Sequence, residues 1–457
     1  MENTLLRITR IKVSRLYGLY DHDVELSLND RITIIHGPNG VGKTALLRLI
    51  EALVQGKYFD LKRIQFQCFS LYLSDGSIVG IREKASDPHA PTSELDSDTT
   101  SPDEFFLQAA DGSLQTTPLK KHQLDLDIVL RQIERETPWI SRVGAEQWMD
   151  HNLGYILTPD EMINTYANKV PQKIQRRSFS EPKWLARIRS QISVHLIETQ
   201  RLLRFETRSN RPWENNGKAV ISTVQNYARE LQEKITEALA DYGKTSQSLD
   251  QSFPQRLLSG KISPLTSEEL KHRMGELETQ RADLTRIGLL GGDDVSYPFD
   301  VATLDRADLT QQTVMTLYVD DTAKKLAVLD SLAARVILLL TTVNKKFRNK
   351  TLSIDKKRGL FATDSNGKSL DLDALSSGEQ HELVLMYDLL FRVRPNTLVL
   401  IDEPELSLHL SWQKSFLADL ARIVSTAGFD VLLATHSPFI AGDRDDLMIS
   451  LTSEIEK

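Results

Sequence analysis

Apolar positions along the chain fall into two rhythms. Short runs rich in aliphatic and β-branched residues stand at 31–36, 397–401 and 431–435 and predict strands. TLVLI (397–401) and VLLAT (431–435) are almost unbroken, the mark of strands buried on both faces of a parallel sheet. Residues 5–13 and 23–28 alternate enough to be strands around a turn at 14–22, where Gly18 and Asp21 stand. Segments 64–73 and 77–82 flank Ser74-Asp75-Gly76, and 105–109 and 113–117 flank Asp111-Gly112, so each pair predicts a hairpin. Segments 350–354 and 360–363 do the same around Lys357-Arg358-Gly359. The second rhythm is helical. Leu46, Leu47, Leu49, Ile50 and Leu53 predict a helix from Lys43. From 124 to about 286 helical patterns dominate: one with apolar positions at Ile128, Leu130, Ile133, Trp139 and Ile140, a longer one at 220–239, and another at 267–289. Residues 308–347 predict one or two helices ending in cations, Lys345, Lys346 and Arg348, that suit a helix C-terminus. None of these patterns sustains three heptads, so no long coiled-coil arm is expected.

Composition narrows the class. The chain has 457 residues, 40% hydrophobic and 26% charged, ordinary for a globular protein of several domains. Its net charge of −7 gives no global pull toward nucleic acid. A single cysteine, Cys68, excludes an internal disulfide and a multi-cysteine zinc site and fits a reducing cytoplasm. The N-terminus does not read as a signal peptide. The most apolar run, 336–340, is shorter than the about 20 residues that cross a bilayer, so no membrane association is expected. Residues 87–104 carry six acids, three prolines and no Lys or Arg, and predict a solvated loop.

The first candidate chemistry lies where the two rhythms meet. Between the strand at 31–36 and the helix from Lys43 stands Gly37-Pro38-Asn39-Gly40-Val41-Gly42-Lys43-Thr44, which matches G-x-x-x-x-G-K-[ST]. Glycines let the backbone curl its N–H groups toward phosphate oxygens, and the helix dipole adds positive potential. Lys43 is placed to reach the β- and γ-phosphates of ATP, and the Thr44 hydroxyl to ligate Mg²⁺. The strand at 397–401 ends in Asp402-Glu403: Asp402 is placed to hold Mg²⁺, and Glu403 to orient or deprotonate a water. The strand at 431–435 delivers His436, which can hydrogen-bond the γ-phosphate or that water. Ser376-Ser377-Gly378 opens a helix carrying Leu383, Leu385, Met386, Leu389 and Leu390, a second anion-binding N-terminus in the same chain.

Together GPNGVGKT, LSSGEQ, LVLIDEPE, LSLH and ATHSP resemble the ATP-binding-cassette ATPases of the RecF, SMC and OLD branch. The resemblance implies an α/β P-loop ATPase head: a mostly parallel central sheet, an antiparallel side sheet, and a large, mainly helical insertion between Walker A and signature. On that reading residues 1–84 and 311–457 form the two halves of the head and 85–310 the insertion. It implies that Ser376, Ser377 and Gly378 are a signature loop acting on the nucleotide of a second copy, so that the chain works as a head-to-tail homodimer. It makes Asp402 and Glu403 the Walker B pair with Glu403 the catalytic base, residues 406–409 the D-loop at the dimer seam, and His436 the switch histidine. Gln200, after the apolar run 192–197, is the candidate Q-loop metal ligand, with Gln65 and Gln67 as competitors.

Within that branch the chain lacks what marks most members. The signature begins at Leu375, far beyond Lys43, unlike transporter cassettes; SMC-type heptads are missing; and little chain follows His436 to hold a TOPRIM domain. The helices around LSSGEQ and IDEPELSLHLSW are similar to ATPase subunits of bacterial anti-phage systems. That resemblance implies a cytoplasmic ATP-hydrolysing sensor controlling a nuclease on a separate chain, of HNH type for Septu-like systems in preference to the TOPRIM effector of PARIS-like ones. The alternative is a RecF-like clamp on DNA. Its support is the stretch 169–189, with seven cations, one acid, and Phe179 and Trp184 interleaved, a pattern able to follow phosphates and stack bases.

Overall fold

Three apolar runs come together as neighbouring strands of one parallel sheet. The computed structural model describes residues 6–83, 103–119, 126–144, 146–152, 154–166, 170, 174, 179, 181–197, 203–205, 220–259, 262–291, 304–305 and 307–451. Gln200 and the acidic stretch up to residue 102 lie outside the described residues. The chain divides into two compact units, Met1–Thr199 with Val393–Lys457, and Gln200–Arg392.

In the first unit, five strands run parallel in the order Ser193–Ile197, Thr397–Asp402, Asp430–Ala434, Ile32–His36, Met448–Ser450. Ile34, Ile35, Leu400, Leu432 and Leu433 are fully buried, each such side chain contributing about 1.5–3 kcal/mol. Register matters more than burial for function. Asp402 pairs with Ala434 and Ala434 with Ile35, so all three strands end at one height. A ligand at the carboxyl edge of such a sheet meets the ends of all three. A six-stranded antiparallel sheet is built from Tyr20–Glu25, Ile8–Leu16, Cys68–Leu73, Ile78–Glu83, Asp103–Gln108 and Leu114–Pro118, in that order. Arg7 grips Asp430, at the start of a parallel strand, through two hydrogen bonds of 2.8 and 2.6 Å.

The helix Lys43–Gln55 turns its apolar face inward and stops at Gly56, which takes the left-handed conformation at φ 71°. Buried Arg189, on the helix Lys183–Gln191, closes that end. Its Nε donates to the Val54 carbonyl at 2.7 Å, and its guanidinium pairs with Glu181 at 2.5 Å. This changes the reading of the basic stretch. Among its described residues, Phe179 is buried edge-on against Tyr58 and Phe59. Trp184 packs on the same core and donates to Thr117. These aromatics are core residues, not a platform for bases.

A second difference follows. The helix Leu126–Glu136 ends ahead of Pro138, whose ring disfavours helical backbone in the residue before it. Trp139 and Ile140 therefore fall outside it, and Ile140–Gly144, Gln147–Asp150 and Tyr155–Leu157 form a small antiparallel sheet.

The second unit has three long helices, Thr223–Leu258, Ser267–Arg286 and Leu309–Lys346, and a small sheet of Lys350–Asp355, Gly359–Asp364 and Ser369–Leu370. Leu309–Lys346 is one continuous helix, opened by a capping box between Asp308 and Gln311. An 18-residue window of it reaches a mean hydropathy of 2.0, so by length and composition it can cross a membrane, contrary to the expectation from 336–340 alone. Here it is a core helix: Leu326, Leu329, Val336, Leu339 and Val343 are fully buried. Tyr227, Tyr387 and Phe391 stack in series beneath it, with the Tyr227 hydroxyl donating to Asp388.

Candidate functional site

The strand Ile32–His36 delivers the chain to a tight loop that only glycine can close. Gly40 and Gly42 have φ of 86° and 96°, and a Cβ on Gly42 would lie 2.4 Å from the Leu16 side chain. The helix then starts at Lys43 with no side chain capping its first turn, which leaves those N–H groups for a ligand. A loop whose N–H groups face a ligand turns carbonyls outward, and one of these is caught from behind. Nε2 of His22, 4% exposed, lies 2.7 Å from the Val41 carbonyl, so that nitrogen carries the proton and donates it. The same ring stacks on Tyr20 at 5.9 Å. Burial holds His22 below the ordinary histidine pKa, against the raising effects of the Val41 hydrogen bond and the Asp21 charge.

Five groups predicted to act together meet around the loop. Lys43, buried, donates to the Gly37 and Pro38 carbonyls at 2.8 and 3.0 Å and lies 3.4 Å from His436 Nδ1. The Thr44 hydroxyl donates to Asp402 at 3.2 Å. His436 Nε2 lies 3.5 Å from Glu403 Oε1. Burial pulls the Lys43 pKa down while the charges of Glu403, Asp402 and Glu405 push it up, and burial raises the Asp402 carboxyl above its usual range. The cleft, about 620 Å³, is lined by the Asn39–Ala45 loop, by Glu403, Glu405, Leu406 and His436, and by half-exposed Tyr17. Glu403 sits in the left-handed region at φ 44°, rare for a residue with a side chain and costing about 1–3 kcal/mol. Its N–H is held by the Ala434 carbonyl at 2.9 Å.

A family described as "AAA ATPase domain" matches residues 7–441. The chain belongs to the AAA ATPase domain family. Among solved structures, this AAA ATPase domain is similar to an Smc head domain from Pyrococcus furiosus with an extended coiled coil, bound to the C-terminal domain of ScpA. That match has 12% identity and a TM-score of 0.35, over 98% of this chain and 93% of that one. It is also similar to an Smc head bound to the C-winged helix domain of ScpA, at 10% identity and a TM-score of 0.34 over 97% and 93% of the two chains. A third similar structure, the SMC head domain from Thermotoga maritima, gives 10% identity and a TM-score of 0.31 over 98% and 95%. No curated protein matches the chain.

For an AAA ATPase domain the donor set fits nucleotide and metal. A hydroxyl and a carboxylate 3.2 Å apart, Thr44 and Asp402, can share one small divalent cation, and the Lys43 ammonium beside an uncapped helix start can take phosphate. Bound Mg²⁺ would neutralise charge developing on the phosphates. The Glu403 carboxylate and the His436 ring are close enough to orient a water or hold its proton. The second unit of the AAA ATPase domain carries Ser376, Ser377 and Gly378 at the start of the helix Ser377–Tyr387. The Ser376 hydroxyl is taken up in a capping box, donating to Glu379 at 2.9 Å, and Lys350 holds the same carboxylate at 2.7 Å. Both serines are exposed. His22 and Glu405 have no assigned role in the sequence pattern, and Arg189, one of the seven cations of the stretch 169–189, serves the end of the helix Lys43–Gln55 instead. Of the first two, only Glu405 has a signal, a third acid in IDEPE.

Proposed function

We propose that the chain binds and hydrolyses ATP with Mg²⁺ at a site completed by a second copy, and uses that cycle to control an effector on a separate chain. One observation carries the reading. Lys43, Thr44, Asp402, Glu403 and His436 converge on one cleft, while a helix start with exposed Ser376 and Ser377 stands elsewhere in the chain. Gly37 to Thr44 cradle the phosphates, Thr44 and Asp402 hold the metal, Glu403 is the base, and His436 senses the γ-phosphate. Gln200 remains the proposed Q-loop ligand. Tyr17, half exposed at the cleft, can stack on adenine. The partner we favour is a nuclease of HNH type in an anti-phage complex in the cytoplasm, a reading that rests on the resemblance of LSSGEQ and IDEPELSLHLSW to such ATPase subunits. The RecF-like clamp is weakened by the burial of Phe179 and packing of Trp184.

The test is the Glu403→Gln chain with ATP. It is expected to bind ATP and accumulate as a dimer in light scattering, with hydrolysis reduced roughly 10²–10⁴-fold. Undiminished turnover would remove Glu403 from its role. A dimer that forms equally without nucleotide would remove the composite site.

A further inference from the structure

We propose that Glu405 is a positioning residue for hydrolysis, acting through His436; the proposal rests on the reading of Glu403 and His436 as the hydrolytic pair. His436 stands in an irregular stretch between the strand Asp430–Ala434 and the short helix Pro438–Ala441, one residue past Thr435, whose N–H still bonds the Ile35 carbonyl at 3.2 Å. Beyond that bond, the His436 backbone is held by a carboxylate that also lines the cleft. Glu405 Oε1 accepts the His436 backbone N–H at 2.7 Å and the Thr435 hydroxyl at 2.9 Å. Thr435 is itself buried, and its hydroxyl accepts the Ser437 N–H at 2.9 Å, so one oxygen organises three consecutive residues. The ring is left 3.4 Å from Lys43 Nζ and 3.5 Å from Glu403.

The carboxylate is itself held. Pro404 fixes the backbone ahead of it, and the Gln413 amide donates to the Glu405 and Leu408 carbonyls at 3.3 and 3.2 Å. The same amide accepts from Ser437 at 2.9 Å, closing a ring of bonds between residues 405–413 and 435–437. Glu405 Oε2 is buried with no hydrogen-bond partner among the described residues. Helix packing does not call for an acid there; a hold on the His436 turn does. A glutamine carbonyl could make the same two bonds, so the tether depends on an acceptor oxygen rather than on charge.

The experiment is a double-mutant cycle on the full chain, read as steady-state ATP hydrolysis. Glu405→Ala is expected to lower kcat at least about tenfold with KM for ATP within about twofold, because it disorders the turnover geometry and not the phosphate cradle. Glu405→Gln is expected to recover most of the rate. In a His436→Ala background, Glu405→Ala is expected to add less than about a further twofold loss. Multiplicative losses in the double variant, or a Glu405→Ala chain with wild-type kcat or a loss confined to KM, overturn the positioning role. A His436→Ala chain at wild-type rate instead overturns the hydrolytic assignment beneath it. Thr435→Val removes one of the two donors and leaves the acids in place. Should Glu405→Ala fail to fold, Thr435→Val with a lowered kcat supports the proposal and with an unchanged kcat overturns it.

Discussion

Lys43 shows how the site uses charge at the scale of one side chain. It is buried beside three acids, and its ammonium is satisfied by the carbonyls of its own loop. Lys43→Ala removes a charged donor to phosphate, and at ~1.5–3 kcal/mol for such a bond the ATP affinity should fall about 10- to 100-fold in calorimetry. His22 acts by the opposite means, as a neutral group. Burial depresses its folded pKa below the unfolded value of about 6.5, so protonation favours the unfolded chain. Its contribution to stability is present above about pH 6.5 and is lost as pH falls from there toward the lower folded value. In thermal melts across that window the wild type should lose stability faster than His22→Phe; parallel curves would mean that the ring does not titrate as the structure implies. That the glycine loop, the acid pair and His436 come together could be read from the sequence, because each stands at the end of an apolar run that becomes a strand of one parallel sheet. His22 could not: its partner is a backbone carbonyl, which no residue pattern records.

At the scale of elements, the legible ones are those whose apolar rhythm is continuous. The strands Thr397–Asp402 and Asp430–Ala434 and the helix from Lys43 were expected nearly to the residue. The sheet of 140–157 was not. Its first strand, Ile140–Gly144, exposes Ser141, Arg142 and Val143, so it shows no inward alternation, and the helical pattern before it takes in Trp139 and Ile140 as well. Arg189 is likewise an element-scale residue, since it links the end of one helix to the end of another. Arg189→Met should leave Glu181 half-buried without its cation and the Val54 carbonyl without its donor, costing about 3–5 kcal/mol in a urea titration. A loss below about 1 kcal/mol would show that water replaces the guanidinium.

At the scale of the whole molecule, the proposed composite site makes a prediction that no single chain can satisfy. Lys43→Ala spoils the phosphate cradle and Ser377→Arg the exposed helix start, so each variant alone should be inactive. Mixed in equal amounts they form heterodimers with one intact site, and in a two-fold dimer random pairing restores about a quarter of the wild-type rate. No recovery on mixing would place both motifs in the service of one subunit. DNA binding by the isolated chain is expected to be weak and to lack a steep salt dependence, which a titration from low to physiological salt checks.

The strands Ser193–Ile197 and Thr397–Asp402 lie side by side in register, Ser193 against Thr397 and Ile197 against Ile401. They are parallel, so the chain leaves at one end of the pair and must re-enter at the other. All of Gln200–Arg392 is therefore one crossover between adjacent strands, grown to the size of a domain. The sheet constrains only where that excursion departs and where it lands. What that excursion contains can change in length and sequence, and the rungs beneath the carboxyl edge of the sheet need not shift.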